Sequence, residues 1–224
     1  MPETLPQITR EALEASLKAE DALLKPNKRL EAAVANCEKN DIPPIAISPL
    51  QGQLLANFCR MGQAKTVLEV GTLGGYSTIW FAESVPGIHV TSLESNPKHH
   101  AVAVENTKGL NVDIRLGAAI DSMRQLLDEG TKFDLVFIDA NWDMQAQYFD
   151  LAVSLTRKGG AIYVDNVVRN LLPDPEEDQP NGDWSLIEHL KGDRRVDATV
   201  IPVLSTHKVK IDEMVDGFVL AVVK

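Results

Sequence analysis

The chain of 224 residues lacks several features that would place it in a specialised class. It has only two cysteines, Cys37 and Cys59, and their spacing matches neither a CxxC redox motif nor a metal-binding pattern. We therefore expect two buried thiols in a reducing cytoplasm rather than a disulfide. No apolar run is long enough to span a bilayer, and the N-terminus is polar rather than signal-like, so no membrane association is expected. Internal repeats and low-complexity tracts are also absent.

Basic residues are scarce relative to acidic ones. Asp and Glu number 32 against 22 Lys and Arg, which gives a formal net charge of −10. An acidic chain repels phosphate backbones, so nucleic acid is not an expected partner. A length of 224 residues suits one α/β domain with its own core. We expect a single soluble cytoplasmic domain over 1–224, in which a helical extension (1–45) precedes the core (46–224).

Alternating strand-like and helix-like segments indicate the fold class. The N-terminal part, 9–40, is helical in composition, and Pro26 should divide it into two short helices. Beyond it the alternation is typical of a mostly parallel sheet covered by helices on both faces. The predicted strands are 66–70, 89–93, 111–116, 134–138, 160–165, 197–203 and 217–223. The loop 204–216 is too short for a helical crossover, so the last two strands should pair antiparallel.

The segment 66–78, TVLEVGTLGGYST, carries the most specific signal. A buried strand enters a glycine-rich turn and a helix follows, the arrangement by which α/β sheets bring backbone close to a nucleotide-like ligand. A dinucleotide-binding turn would have glycine where Glu69 stands, and a carboxylate there repels a pyrophosphate but accepts an ammonium group. Glu94 ends the next strand, at the spacing where an acidic residue binds ribose hydroxyls. A ribose with a cationic amino-acid end describes S-adenosylmethionine rather than NAD.

Polar side chains also stand at the ends of two later strands. Asp139 follows one strand, and Asp165 and Asn166 follow the next. Because the carboxyl ends of parallel strands share one edge of a sheet, these side chains should converge near Glu69. Two interpretations are open. Two carboxylates and an amide suit Mg²⁺ or another hard cation, whereas strand-end Asp and Asn also cap helices that follow.

A set of motifs, in order along the chain, is shared with a known family. The motifs are SPLQGQLL at 48–55, LEVGTLGGYS at 68–77, FIDA at 137–140, GG at 159–160, DNVV at 165–168 and DGF at 216–218. From about Ser48 to Val223 the chain resembles the cation-dependent O-methyltransferases, the family of catechol and caffeoyl-CoA O-methyltransferases. The resemblance implies the class I methyltransferase fold, a Rossmann-like, seven-stranded, mostly parallel sheet with an antiparallel last strand. It also implies a homodimer that uses S-adenosylmethionine and a divalent cation such as Mg²⁺ to methylate a small hydroxylated aromatic vicinal diol.

The resemblance assigns roles to individual positions of this chain. Glu69, Gly71 and Ser77 match contacts to the methionine part of the cofactor, and Glu94 matches the ribose-binding carboxylate. The full set of implied cofactor contacts is Ile47, Glu69, Gly71, Ser77, Glu94, Ala118, Asp139 and Tyr148. Asp139, Asp165 and Asn166 match the metal ligands. In the implied mechanism the cation holds two neighbouring acceptor oxygens, lowers the pKa of one hydroxyl and aligns it with the sulfonium methyl.

One position of the implied catalytic pair, Asp139 and Trp142, departs from the family. Three residues after the first metal aspartate the family commonly has a lysine as general base, and here that residue is Trp142. Four accounts are open. The cation alone suffices for a phenol, whose free pKa is about 10; His207 or Lys208 serves instead; the acceptor stacks on Trp142; or the protein binds cofactor without transfer or serves another reaction.

A long irregular stretch, 169–183, follows the metal-ligand pair. It leaves the sheet at the edge where open α/β sheets bind ligands. It is therefore either a surface loop or a substrate lid.

Overall fold

Seven strands form one mixed sheet. The structure is a computed structural model and describes residues 7–172, 185–204 and 215–224. The strands are β1 Thr66–Val70, β2 His89–Glu94, β3 Val112–Leu116, β4 Phe133–Ile138, β5 Thr156–Val164, β6 Val196–Leu204 and β7 Val215–Val223. Their order is β3-β2-β1-β4-β5-β7-β6, and β7 runs antiparallel to both of its neighbours while the other pairs are parallel. The predicted sheet is confirmed.

Helices connect most of the strands. They are α1 Gln7–Leu23, α2 Lys28–Lys39, α3 Pro49–Met61, α4 Tyr76–Ala82, α5 Pro97–Asn106, α6 Ala119–Asp128, α7 Gln145–Leu155, α8 Val167–Asn170 and α9 Ser185–Leu190, with a 3₁₀-helix at Trp142–Met144. Side-chain oxygens of Asn27, Ser48 and Asn96 accept backbone N–H groups at the starts of α2, α3 and α5, which would otherwise be unpaired. Pro26 separates α1 from α2, as predicted. No helix in the described ranges is long and apolar enough to cross a membrane.

An apolar layer packs against each face of the sheet. On one face α3 and α4 contribute buried side chains such as Leu55 and Phe81. On the other face α6 and α7 contribute side chains such as Met123 and Phe149. The central strands are therefore buried on both sides, which explains their continuous apolar runs.

Aromatic rings cross the sheet in a row beneath α3. The Phe137 ring of β4 lies 5.5 Å from Phe81 and 5.4 Å from Tyr163, centroid to centroid. The Tyr163 ring of β5 stacks on Phe218 of β7 at 4.1 Å, with 17° between the ring planes. These contacts fix the lateral position of β4, β5 and β7 relative to one another.

The start of β5 differs from the prediction because the strand contains a bulge. β5 begins at Thr156, which is paired with Phe133, but the next pair is Leu135 with Ala161. Gly160 lies within this irregularity, and a Cβ atom on it would be 2.6 Å from the Thr156 methyl group. A bulge adds residues without changing the apolar pattern, so the sequence signal marks only the regular part of the strand.

Placing β7 between β5 and β6 has a consequence for the edge of the sheet. The predicted antiparallel pairing of the last two strands is confirmed. Because β7 also runs antiparallel to β5, its first residues lie at the carboxyl end of β5. Asp216 therefore stands at the same edge as Asp165 and Asn166.

α1 lies apart from the two apolar layers. Leu17 is 44% exposed and Leu23 is 67% exposed. Further along the N-terminal apolar stripe, Leu30 is buried but Val34 is 44% exposed. The stripe is thus only partly buried, and the division of the chain into an extension and a core stays a prediction.

Phe137→Ala should destabilise the fold strongly, because it removes one of the two inner rings of the aromatic row from a fully buried site. We expect the free energy of unfolding to fall by about 3–5 kcal/mol, measured by urea denaturation. Val200→Ala, on the edge strand where Val200 is 40% exposed, is the matched control and should cost much less. Equal losses in the two variants would show that the row is not central to the core.

Candidate active site

The carboxyl ends of β1, β4 and β5 lie side by side. The backbone N–H of Asp139 donates to the carbonyl of Val70 at 2.9 Å, and that of Asp165 donates to the carbonyl of Ile138 at 2.9 Å. The ladder of the sheet therefore continues one residue beyond the strands. It brings Asp139, Asp165 and Asn166 to one edge, next to the glycine turn that follows β1, as the sequence predicts.

Gly71 lets the turn after β1 approach β4 closely. Its φ is +98°, a conformation that favours glycine. A Cβ atom here would lie 2.0 Å from the carbonyl oxygen of Asp139. The position therefore excludes any side chain on structural grounds, independently of a ligand.

Glu94 supports the same turn from the end of β2. Its Oε2 accepts the backbone N–H groups of Thr72 at 3.3 Å and Leu73 at 2.8 Å, and its Oε1 accepts that of Asn96 at 2.8 Å. His99 Nδ1 lies 3.8 Å from Oε1. A carboxylate that accepts several N–H groups is held in one orientation, and Glu94 retains 8% exposure at the ligand edge. This geometry suits the predicted role in ribose binding.

Glu69 is fully buried beneath the turn. Its oxygens accept hydrogen bonds from the hydroxyls of Ser77, Thr78 and Ser92, each at 2.5 Å. Burial raises the pKa of Glu69 to about 7, while the three hydroxyls act in the opposite direction. The carboxyl thus joins β1, β2 and α4. Direct contact of Glu69 and Ser77 with a cofactor stays a prediction, since in this structure the two side chains bind each other.

Asp165 is 8% exposed and lies within electrostatic range of two other acidic groups. Burial is the largest cause that raises its pKa well above the usual range, and the charges of Asp139 and Asp216 add to the effect. Its Oδ1 accepts a hydrogen bond from Gln51 Nε2 at 2.7 Å. A cation bound here would relieve the repulsion between these carboxylates.

Asn166 has a strained backbone that turns its side chain toward this group. Its φ is 56° and its ψ is 23°, in the left-handed region. The amide Nδ2 donates to Asp216 Oδ2 at 2.9 Å, which leaves the amide oxygen as the atom available to a cation. The helix-cap interpretation of Asn166 is not supported, because its side chain makes no capping bond to α8.

The oxygen donors fit a hard cation. Within the described ranges, no three His, Cys, Asp or Glu side chains come together as a metal-binding group. The predicted set has two carboxylates and relies on the Asn166 amide as its third protein ligand. Water and acceptor oxygens would complete such a coordination shell.

The remaining predicted residues differ in their surroundings. Ile47 is buried beside α3, and Ala118 is exposed at the start of α6. Trp142 is 43% exposed in the 3₁₀-helix, close behind Asp139. Tyr148 is 5% exposed and belongs to the apolar layer on the α6 and α7 face of the sheet, and its contact with the cofactor stays a prediction. His207, Lys208 and residues 173–183 of the loop 169–183 lie outside the described residues.

Several residues of the site carry no role in the sequence prediction. Gln51 and Asp216 stand in the motifs 48–55 and 216–218, so the motifs mark them without showing what they contact. Thr78 and Ser92 bind Glu69. A hydroxyl in an otherwise apolar strand, as at Ser92, is a signal that a buried polar partner is near.

Comparison with known proteins agrees with this geometry. The model of the O-methyltransferase family matches residues 20–207. A catechol O-methyltransferase of Niastella koreensis is 38% identical over 214 residues, which are 92% of this chain and 91% of the relative.

Solved structures show the same fold. The O-methyltransferase of Bacillus cereus in complex with SAH has a TM-score of 0.84 at 34% identity, over 94% of this chain and 97% of that one. The O-methyltransferase TomG of Streptomyces achromogenes, involved in tomaymycin synthesis and solved with SAM, has a TM-score of 0.82 at 32% identity, over 94% and 96%. These likenesses confirm the predicted class I methyltransferase fold. The chain belongs to the O-methyltransferase family.

Proposed function

We propose that this chain, an S-adenosylmethionine-dependent O-methyltransferase by family, methylates one hydroxyl of a small aromatic vicinal diol with the help of a divalent cation. The observation that carries the proposal is the convergence of Asp139, Asp165 and Asn166 beside the glycine turn after β1. A relative of 38% identity that is named a catechol O-methyltransferase supports the acceptor class.

The cofactor would lie along the ends of β1 and β2. The Bacillus cereus and Streptomyces achromogenes structures were solved with SAH and SAM, which supports S-adenosylmethionine here. When bound, this cofactor supplies the methyl group on a sulfonium. Glu94 is held by backbone N–H groups at the position that suits a ribose. The N–H of Gly117 donates to the Glu94 carbonyl at 2.8 Å, and this bond brings Ala118, the next residue, close to the end of β2.

Asp139, Asp165 and Asn166 would hold the cation. A bound divalent cation supplies Lewis acidity that lowers the pKa of an acceptor hydroxyl. The chain's own contribution is to position the ligands. Asp216 holds the amide of Asn166, and Gln145 Nε2 donates to the main-chain carbonyl of Asp165 at 2.9 Å.

Trp142 shapes the choice of acceptor. An indole cannot accept a proton at neutral pH, so this residue is not a general base. The residue is 43% exposed three positions after Asp139 in the chain, and its indole is an aromatic surface on which a flat acceptor can pack. We infer that the enzyme uses acceptors acidic enough to lose their proton without a basic side chain at this position.

The same tryptophan favours a second candidate, a protein that binds the cofactor without transfer or serves another reaction. Incubation with methyl-labelled S-adenosylmethionine and a panel of catechols, with and without EDTA, separates the two. The proposed function predicts labelled product that disappears in EDTA and returns with Mg²⁺. Cofactor binding without any labelled product would support the second candidate.

Asp165→Asn should abolish cation-dependent transfer while it keeps the size of the side chain. Replacement of a group that only supports a metal ligand costs up to about 100-fold. Replacement of the ligand itself should lower kcat/KM by at least that factor. Asp113→Asn, an exposed carboxylate on β3, should leave kcat/KM unchanged. Undiminished transfer in the Asp165 variant would contradict the metal site.

Trp142→Lys should increase transfer most for weakly acidic acceptors, because it supplies the base that they require. We expect about a tenfold gain or more in kcat/KM, at the lower end of general-base effects. The measurement is kcat/KM over a series of catechols of graded acidity. Asn141→Lys places the same charge one residue away. Its effect on kcat/KM should not depend on the acidity of the acceptor. If Trp142→Lys increases kcat/KM for none of the vicinal diols, the role given to position 142 is refuted.

Glu69→Gln should remove a pH dependence of stability in the ligand-free protein. Because the pKa of Glu69 rises from 4.5 to about 7 on folding, the folded state binds more protons between these values. Its contribution to the free energy of unfolding therefore falls as pH rises through this window and stays low above it. The free energy of unfolding of the variant should therefore increase relative to that of the native protein across this pH window, by about 3 kcal/mol at most.

Urea denaturation from pH 4 to 8 measures this difference. Glu38→Gln, at an exposed position, is the control. Its free energy of unfolding should differ from that of the native protein by the same amount at every pH. A flat difference for Glu69→Gln as well would show that the buried carboxyl keeps its ordinary titration.

A further inference from the structure

We propose that Gln51 is a positioning residue of the metal site, which holds the Asp165 carboxylate in the orientation that binds the cation. This inference rests on the proposed function, since Asp165 is one of the proposed ligands. Gln51 Nε2 donates to Asp165 Oδ1 at 2.7 Å and lies 3.2 Å from the Tyr163 hydroxyl. The contact joins α3 to the end of β5, 114 residues later in the chain.

Both ends of this contact are fixed by the fold. Gln51 stands in the first turn of α3, where its N–H donates to the Oγ of the cap residue Ser48 at 3.1 Å. Tyr163 is 1% exposed and stacks on Phe218, so its hydroxyl is a fixed point beside the amide. One amide nitrogen carries two hydrogens, enough to reach both the hydroxyl and the carboxylate. The Asp165 side chain is therefore held against a rigid part of the core.

A neutral donor suits this position better than a charged one. Asp165 is buried close to Asp139 and Asp216, and a lysine or arginine beside it would neutralise charge that a cation needs. An amide restricts the carboxylate and leaves its charge in place. Replacement of a partner that holds a metal ligand typically lowers metal affinity by about 10- to 100-fold.

Gln51 and Gln145 act on different parts of the same residue. Gln145, from α7 on the other face of the sheet, donates to the main-chain carbonyl of Asp165. Gln51, from α3, donates to the carboxylate. The main chain of Asp165 is thus fixed from one face and its side chain from the other. Loss of Gln51 should free the carboxylate to rotate without moving the strand.

The test measures Mn²⁺ binding to the full chain. The concentration of free Mn²⁺ is monitored by electron paramagnetic resonance. Gln51→Met keeps the length of the side chain and removes the donor, and we expect it to weaken Mn²⁺ binding by about 10- to 100-fold. Gln51→Ala should show the same loss and serves if the methionine variant does not fold. S-adenosylmethionine affinity, measured by calorimetry, should not change.

The matched control is Gln53→Met, two residues further along α3. Among the hydrogen bonds of the described residues none joins the Gln53 side chain to Asp165, so its variant should bind Mn²⁺ like the native protein. A role of Gln51 in stability alone would lower the melting temperature and leave Mn²⁺ affinity unchanged, and that result would overturn the inference. If the native protein itself does not bind Mn²⁺, the metal part of the proposed function fails, and the inference fails with it.

Discussion

Buried carboxyl groups that are held by neutral donors are the constraint on which this site depends. Glu69 accepts from hydroxyls, Glu94 from backbone N–H groups and Asp165 from the Gln51 amide. Hydrogen bonds of this kind hold carboxylates in place without cancelling their charge, which a salt bridge would do. The carboxyl edge of the sheet is therefore prepared for ligands that bring positive charge. A sulfonium cofactor with an ammonium group and a divalent cation both meet that requirement.

The opposite edge of the sheet handles a carboxylate differently. Asp134, at the start of β4, accepts from the backbone N–H groups of Lys65 and Thr66 and pairs with Arg157. Although burial acts to raise its pKa, these partners together hold the pKa below its usual range. A carboxylate whose charge is balanced in this way supports the fold and has no uncompensated negative charge with which to bind a ligand. Asp134 and Asp139, at the two ends of β4, thus contrast a carboxylate that supports the fold with one that we propose binds a cation.

Much of this arrangement is predictable from the sequence, because strands buried on both faces produce long apolar runs and their ends produce the motifs. Asp139, Asp165 and Asn166 stand where the motifs end, and the sheet brings them together. What the sequence does not show is the set of partners. The contact of Gln51 with Asp165 joins residues that are 114 positions apart, and it depends on how α3 packs on the sheet. Tyr148 follows the same metal motif, and the motif does not show that its side chain lies in the apolar layer of α6 and α7.

Calorimetric titration of a divalent cation into the cofactor-loaded protein shows whether the carboxyl edge of the sheet binds a metal. We expect one Mg²⁺ or Mn²⁺ bound per chain, with binding lost in Asp139→Asn and retained in Asp134→Asn. That pair of variants changes one carboxylate at each end of β4. Absence of cation binding to the native protein, or equal binding in both variants, would contradict the proposed use of the negative charge at the carboxyl edge.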